Sequence, residues 1–235
     1  MNVTDLFTQL SYGELSNLSI GSEGSGEIEE TKQPRILSYT NEGLLRLYSK
    51  FILRENDLVL QQHMHITEYF LQKQFALLSP PTSDPLDVKY ILDYEANPFE
   101  DDLIRVLKLT NTENRKIPLN DSEHRDSFFT PQPNVLQIPY PVQDQLTIVT
   151  YQARHVVLTM ADLEKDIILP PTLEGALQAY IAYKVFFHMN GQENRAIAEG
   201  HLANFNNVVG QIVEQDLVNS SMSGTGIKFA ERGFV

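Results

Sequence analysis

Two histidines and a glutamate lie close together in the segment HMHITE, as His63, His65 and Glu68. Alternate residues of a β-strand point to the same face, so two imidazoles at this spacing could bind one metal ion. A third imidazole would have to come from His124 or His155, and neither lies in a matching sequence context. A solvated strand face is therefore the favoured interpretation, and we predict neither a metal site nor any other cofactor.

The remaining patterns that could support catalysis are weaker still. The glycine-rich segment GSEGSG (21–26) could form a phosphate-binding loop, but no lysine followed by serine or threonine comes after it. Four nearby glutamates would also repel a phosphate. The carboxylates between Asp93 and Asp102 are typical of a solvated turn, and no G-x-S-x-G motif marks a nucleophilic serine. We therefore predict that the protein is not an enzyme and assign no catalytic residue.

The composition limits the possible partners. The chain of 235 residues has a formal net charge of −13 and no run of three basic residues, which argues against a nucleic-acid clamp, because phosphate binding needs clustered Lys and Arg. It contains no Cys, which excludes disulfides and thiolate zinc sites. We find no secretory signal, and the longest apolar-rich segment is too short for a membrane span and contains Gln178 and Lys184. We expect a soluble protein without a membrane partner.

Hydrophobic spacing predicts helices at both ends of the chain. A first helix covers 4–18, with Thr4 as its N-cap, and a second begins near Pro34. The segment 173–190 is apolar almost all round, which indicates a helix buried between others. Gly191 interrupts this helix. Beyond it, successive apolar residues lie alternately four and three positions apart, which predicts a packed helix over 194–217.

The middle of the chain has the alternating pattern of β-strands. The segment 58–66 (LVLQQHMHI) predicts a half-buried strand, and 103–119 predicts two strands around a polar loop. The short segment 134–141 (NVLQIPYP) is flanked by prolines and fits an edge strand. The longest strand candidate is QLTIVTYQARHVVL (145–158). We predict one antiparallel sheet of about four to six strands.

These elements predict an α+β fold in four parts. Residues 1–56 contain the N-terminal helices and residues 161–218 a C-terminal helical hairpin, and we expect the two parts to form one helical bundle. Residues 57–160 form an antiparallel β-rich subdomain inserted between them. Residues 219–235 form an extended C-terminal tail.

The predicted tail, NSSMSGTGIKFAERGFV, begins with small polar and glycine residues, and apolar and cationic residues follow. A disordered, solubilising end is the simplest interpretation of such a segment. On an extended strand, however, Ile227 and Phe229 lie on one side and Lys228 on the other, which suits strand addition or groove docking on another chain. We favour a protein partner over a contact with a neighbouring copy. The candidate binding residues are Ile227, Lys228, Phe229, Arg232 and Phe234.

The order of these elements resembles the head-to-tail adaptor (connector) proteins of tailed bacteriophages, particularly those of short-tailed phages. The resemblance includes MNVTDLFTQL at the start and NEGLLRLYSKFI in the second helix. Its strongest part is the block 169–209, in which Leu169 and Pro170 precede two helices separated by a short break. The small and aromatic residues that carry it are Ala176, Leu177, Tyr180, Tyr183, Ala198, His201 and Phe205.

This resemblance implies a structural role in the virion. Adaptor subunits form a ring, commonly of twelve, beneath the portal protein after the DNA is packaged. The ring extends the DNA channel without specific DNA binding and provides a platform for tail nozzle or fibre proteins. Helices and an extended C-terminal segment typically contact the portal, whereas the β-rich part faces the next tail component or neighbouring subunits. The expected location is the neck of the phage particle, assembled in the host cytoplasm.

Two other functions remain open at this point. The protein could be another ring component of the tail, such as a nozzle or tail-completion protein, and only the identity of its partner distinguishes that from an adaptor. It could also be a peptidoglycan hydrolase or a metal enzyme that uses His63 and His65. A zymogram or a metal analysis separates this second alternative from a structural role.

Overall fold

The computed structural model describes residues 1–16, 28–80, 88–215 and 217 and has the predicted α+β composition. No helix in this described part is long and apolar enough to cross a bilayer. The helices and strands, in chain order, are α1 (Val3–Tyr12), α2 (Gln33–Lys50), β1 (Glu55–Gln61), β2 (Glu68–Phe70), β3 (Ile91–Leu92), β4 (Leu103–Asn111), β5 (Lys116–Ile117), β6 (Phe129–Gln132), β7 (Val135–Gln137), β8 (Leu146–Ala153), α3 (Pro171–Phe187) and α4 (Gln192–Glu214).

The first helix begins with a capping box rather than at the predicted N-cap Thr4. The Asn2 side chain accepts a hydrogen bond from the Asp5 N–H at 2.7 Å, and the Asp5 carboxylate accepts one from the Asn2 N–H at 3.1 Å. Thr4 lies inside the helix and its hydroxyl donates to the Leu163 carbonyl at 3.2 Å. The predicted cap is therefore wrong by two residues, whereas proline stands in the first turn of α2 as predicted.

Helix α3 lies at the centre of the helical core, and α1, α2 and α4 all pack on it. Leucines and alanines around its circumference are fully buried, which confirms the prediction of a helix enclosed by others. Helix α2 approaches α3 closely at Gly43, where a Cβ atom would lie 2.8 Å from Leu177 Cδ1 and 2.9 Å from Tyr180 Cδ1. A side chain at this position would separate the two helices, so glycine is required by the close contact.

The strands form two antiparallel sheets, and the prediction of one sheet is wrong. The larger has five strands in the order β3-β1-β8-β4-β5, and the smaller has three in the order β2-β7-β6. Strand β7 is central in the small sheet rather than at an edge, because Pro133 and Pro139 lie outside it and leave its ladder intact. Strand β1 ends at Gln61, so the predicted strand does not continue to Ile66.

Strand β8 is buried on both faces. Val149, Tyr151 and Ala153 belong to a second hydrophobic core, which the sheets enclose. The residues between them, Thr150 and Gln152, are also buried, although they are polar. Buried polar side chains need hydrogen-bond partners, and these partners lie largely outside the strand itself.

Gln152 connects the larger sheet to the end of α2. Its Nε2 donates to the Tyr48 carbonyl and, at 3.0 Å, to the Phe51 carbonyl, while its Oε1 accepts from Arg105 Nε at 2.7 Å. The last carbonyls of a helix have no partner within the helix, so a side chain from the sheet supplies the missing donor. This contact fixes the helical core against the β-rich core.

Asp102 forms a second buried connection nearby. Its carboxylate accepts a hydrogen bond from the Tyr151 hydroxyl at 2.7 Å and from Asn56 Nδ2 at 3.0 Å, and Arg54 lies at 4.0 Å. Burial and this carboxylate both raise the pKa of Tyr151 above its ordinary value. Asp102 is therefore a structural residue, and not part of a solvated turn as predicted.

We expect the substitution Gln152→Leu to lower the free energy of unfolding by about 2–4 kcal/mol, because the Tyr48 carbonyl and Arg105 lose this partner and the Phe51 carbonyl keeps only its bond from the Leu53 N–H. Urea unfolding followed by circular dichroism measures the change. The control Gln211→Leu alters an exposed position of α4 and should change stability by less than about 0.5 kcal/mol. Equal stability of the two variants would contradict the role given to Gln152.

Candidate interaction surface

An open apolar groove lies between α2 and α4 on the surface of the helical core. Its volume is about 550 Å³, and Phe205 and Val209 of α4 form the buried apolar part of its lining. Leu45 of α2 also lines the groove and remains 46% exposed, whereas its neighbour Leu44 is buried in the core. The buried stripe of α2 includes Leu44 and Leu47, and Leu45 falls outside it and is left at the surface.

Positive charge flanks this groove. Arg46 lies over the Tyr180 ring at 5.1 Å from its centroid, and Lys50 is exposed and has no ion pair within the described part of the chain. None of the residues that line the groove is acidic. In a protein with a net charge of −13, an apolar groove with cations and no carboxylate favours an apolar partner that carries negative charge.

A smaller depression of about 240 Å³ adjoins the groove through Leu45. Its lining includes Glu42 of α2 and His155 and Val157 of the segment that follows β8. Val157 is exposed, as are Val156 and Ile168 of the same segment. The groove and the depression together give the helical core a continuous, partly apolar surface.

Glu42 is held in place by α3. It accepts hydrogen bonds from the Tyr180 hydroxyl at 2.6 Å and from Lys184, whose Nζ lies 2.8 Å from the other carboxylate oxygen. Burial acts to raise the pKa of Glu42, but the hydrogen bonds and the charge of Lys184 outweigh it and leave that pKa below its ordinary value. The carboxylate is therefore ionised and paired with Lys184, and the charge of the nearby Arg46 also lowers its pKa.

The segment 155–168 is fixed to α2 by side chains of both. Asn41 donates to the Leu158 carbonyl and accepts from the Leu158 N–H, each at 2.9 Å. The Tyr48 hydroxyl donates to the Ile168 carbonyl. His155 Nε2 accepts from the Ile168 N–H at 3.1 Å, and its Nδ1 lies 2.6 Å from the Val156 carbonyl. Because a carbonyl can only accept, Nδ1 carries the proton of the neutral ring.

Burial lowers the pKa of His155, although the bond to the Val156 carbonyl acts in the opposite direction. The positive charge of Arg54 also lowers it. Burial raises the pKa of the neighbouring Tyr48 to about 12. Both rings are therefore neutral near neutral pH, and the neutral form of His155 is the one that can accept from Ile168.

A second exposed surface lies on the β-rich part, at the turn 93–99. The Asp93 carboxylate accepts from the Leu78 N–H at 3.0 Å and from the Phe99 N–H at 3.2 Å, and the Asn97 N–H donates to the Tyr94 carbonyl at 2.9 Å. These bonds fix the turn, and its Tyr94 ring is 61% exposed. Leu77 and Leu78 beside it are also exposed, so the surface is apolar and bordered by carboxylates.

The structure separates the residues considered for a metal site. His63 and His65 lie in the turn that follows β1, so they do not share a strand face as the sequence predicted, and Glu68 begins β2. Within the described ranges, no three potential metal-ligating side chains form a group.

Two other predicted features lie outside the described residues. The glycine-rich segment 21–26 is one, and the C-terminal tail is the other. The tail includes all the predicted partner-binding residues, namely Ile227, Lys228, Phe229, Arg232 and Phe234.

The groove and the turn were both missed by sequence reasoning. Leu45 was a signal for the groove, because it falls outside the apolar stripe of α2 that includes Leu44. The pair Val156–Val157 was assigned to a strand, but β8 ends at Ala153 and leaves both valines exposed. Tyr94 lies beyond the short strand β3, which contains only Ile91 and Leu92.

The sequence matches no model of a known protein family and none of the curated proteins with which it was compared. Both surfaces combine exposed apolar side chains with charge, which is the chemistry of protein–protein contacts.

We expect acid to weaken the attachment of the segment 155–168 to α2. The pKa of His155 lies below 6.5 in the folded protein, and the unfolded chain restores the ordinary value. The unfolded state therefore binds more protons as the pH falls below about 6.5, and the free energy of unfolding decreases from there through the lower folded pKa. Urea unfolding from about pH 8 to about pH 5 measures this dependence.

The variant His155→Phe removes the titrating ring and should reduce the pH dependence of stability over this range. His124→Phe, which replaces an exposed ring in the β-rich part, is the matched control. If the His155→Phe variant keeps the full pH dependence of the wild type, the neutral state assigned to His155 is wrong.

Proposed function

We propose that this protein is a structural subunit of a bacteriophage virion, a head-to-tail adaptor that forms a ring beneath the portal protein. The observation that carries the proposal is the resemblance of the block 169–209 to adaptor subunits. The packing of α3 and α4, which that block forms, supports it: Ala176, Leu177 and Tyr180 are fully buried, and the rings of Tyr180 and Phe205 lie 5.4 Å apart. The small and aromatic residues of the pattern therefore pack α3 against α4.

In this proposal, the N- and C-terminal helices form one bundle with an inserted β-rich subdomain and an extended C-terminal tail. The shared core of α1, α2, α3 and α4 supports the bundle, since these helices come from both ends of the chain. The strands between them enclose their own core. The contacts of Gln152 give the two parts a fixed orientation, which a subunit needs if identical copies are to repeat in a closed ring.

The acidic composition is compatible with a DNA channel. Each subunit carries a net charge of −13, and a ring multiplies this charge. If carboxylates outnumber Lys and Arg on the wall of the channel, they repel DNA phosphates and the genome moves without adhering. The protein then has a mechanical role and catalyses no reaction.

The tail is the segment that we assign to the portal. Arms from several subunits of one ring bind at high effective concentration once the first is attached, so modest apolar anchors can give a stable joint. Deletion of residues 219–235 should therefore leave a folded subunit that no longer cosediments with portal rings. Undiminished binding by the truncated protein would remove this assignment, and binding of the intact protein to a nozzle ring instead would identify another tail component.

A single substitution tests whether the tail uses apolar anchors. Phe229→Asp places a charge in an apolar pocket and should weaken binding to the portal at least about tenfold, because burying an unpaired carboxylate is costly. Ser221→Asp adds the same charge to the polar part of the tail and is the matched control. Equal effects of the two substitutions in the cosedimentation assay would show that no such pocket exists.

A further inference from the structure

The groove between α2 and α4 and the turn 93–99 are both open in the isolated subunit. Leu45 in the groove is 46% exposed, and Tyr94 on the turn is 61% exposed. The groove lies on the helical core and the turn on the β-rich part. Neither surface covers the other, so a contact between them would have to join two different copies.

The charges of the two surfaces are complementary. The groove presents the exposed cations Arg46 and Lys50 and no carboxylate. The turn presents Glu95, which is exposed and has no ion pair among the residues described, whereas Glu100 beyond the turn is paired with Lys73 at 3.4 Å. Opposite charges around two apolar patches favour one relative orientation and disfavour contacts between like surfaces.

The backbone conformation of the turn is also fixed before it binds. The hydrogen bonds of Asp93 to the Leu78 and Phe99 amides fix its backbone, so little conformational entropy is lost when it docks. An exposed tyrosine on a rigid turn is a common anchor of protein interfaces, since it brings a large apolar ring with few rotatable bonds. The groove supplies the apolar side chains Leu45, Phe205 and Val209 for such a ring.

We propose that the turn 93–99 of one copy docks into the groove between α2 and α4 of the next copy, with Tyr94 on the apolar lining and Glu95 beside Lys50. This contact uses a different surface on each partner, so every copy keeps one free groove and one free turn. A contact of that kind closes into a ring when the rotation between copies permits it. The inference rests on the ring assembly proposed above and identifies the surfaces that form it.

The chain's own tail is the alternative occupant of the groove. Its apolar residues are accompanied by two cations, Lys228 and Arg232, and one carboxylate, Glu231, whereas the turn 93–99 has two carboxylates and no cation. Like charges in such a contact repel, so the acidic turn is the better partner.

Crosslinking between introduced cysteines tests the contact, because the chain has no Cys of its own. Ser49→Cys lies in the groove and Ala96→Cys lies on the turn, and both leave Leu45, Lys50 and Tyr94 in place. With a short bismaleimide, a mixture of the two single variants should give crosslinked dimers and no larger species. The double variant should give a ladder of dimers, trimers and higher products, because each copy then has both ends of the contact.

The matched control replaces Ala96→Cys by Ser122→Cys, which lies at another exposed turn of the β-rich part. We expect about a tenfold higher dimer yield from the Ser49/Ala96 pair than from the Ser49/Ser122 pair, since docking raises the effective concentration of the two thiols. Tyr94→Ala in the Ala96→Cys background should return the yield to that of the control. Lys50→Glu in the groove should lower it about two- to fivefold, and Glu95→Lys in the partner should restore it.

The reaction is run with and without portal rings, so that assembly on the portal is included. Equal yields from the two pairs under both conditions would overturn the proposed contact. Preferential crosslinking of Ser49→Cys to Phe229→Cys would also overturn it, since the tail would then occupy the groove. A separate experiment measures the mass of the assembly that uncrosslinked wild-type protein forms on portal rings. If a ring forms there but the Ser49/Ala96 pair gives no crosslink, this interface is refuted and the adaptor function remains intact.

Discussion

The hydrogen bonds between Gln152 and the last carbonyls of α2 are the contact on which the rest of the structure depends. Helix α2 belongs to the helical core and β8 to the β-rich core, and among the residues described the two cores share no hydrophobic residue, although Ile104 of β4 packs against the helical core. A buried amide that satisfies two helix carbonyls fixes both distance and orientation, because hydrogen bonds are directional and an unpaired buried carbonyl is costly. Asp102 with Tyr151 adds a second buried contact on the neighbouring strand.

A fixed orientation between the two parts explains how one chain can present two separate binding surfaces. The groove belongs to the helical core and the turn around Tyr94 to the β-rich part, so their relative position depends on the contacts of Gln152 with the end of α2. In a head-to-tail assembly, this relative position determines the rotation from one copy to the next. The same junction that stabilises the subunit would thus determine the geometry of the ring that we propose.

The helices were largely predictable from the sequence, because hydrophobic periodicity depends on burial of one face or of all faces, and α3 and α4 follow it closely. The strands were less predictable from the sequence. Strand β1 was extended through His63 because alternation alone does not mark where pairing stops, and β7 was placed at an edge because prolines flank it, although none of them interrupts its ladder. The roles of Gln152 and Asp102 arise from contacts with distant residues, which no local pattern encodes.

The candidate surfaces also depend on residues that are distant in the sequence, so a local pattern predicts them only in part. Leu45 could be noticed in the sequence as a surplus leucine on α2, but its groove needs α4, which lies about 150 residues later in the chain. Low-resolution imaging of the proposed phage particle, with the protein labelled at its N-terminus, tests the adaptor assignment. This assignment predicts label in a ring at the neck, directly beneath the portal. Label confined to another part of the particle, or its absence from purified particles, would contradict it.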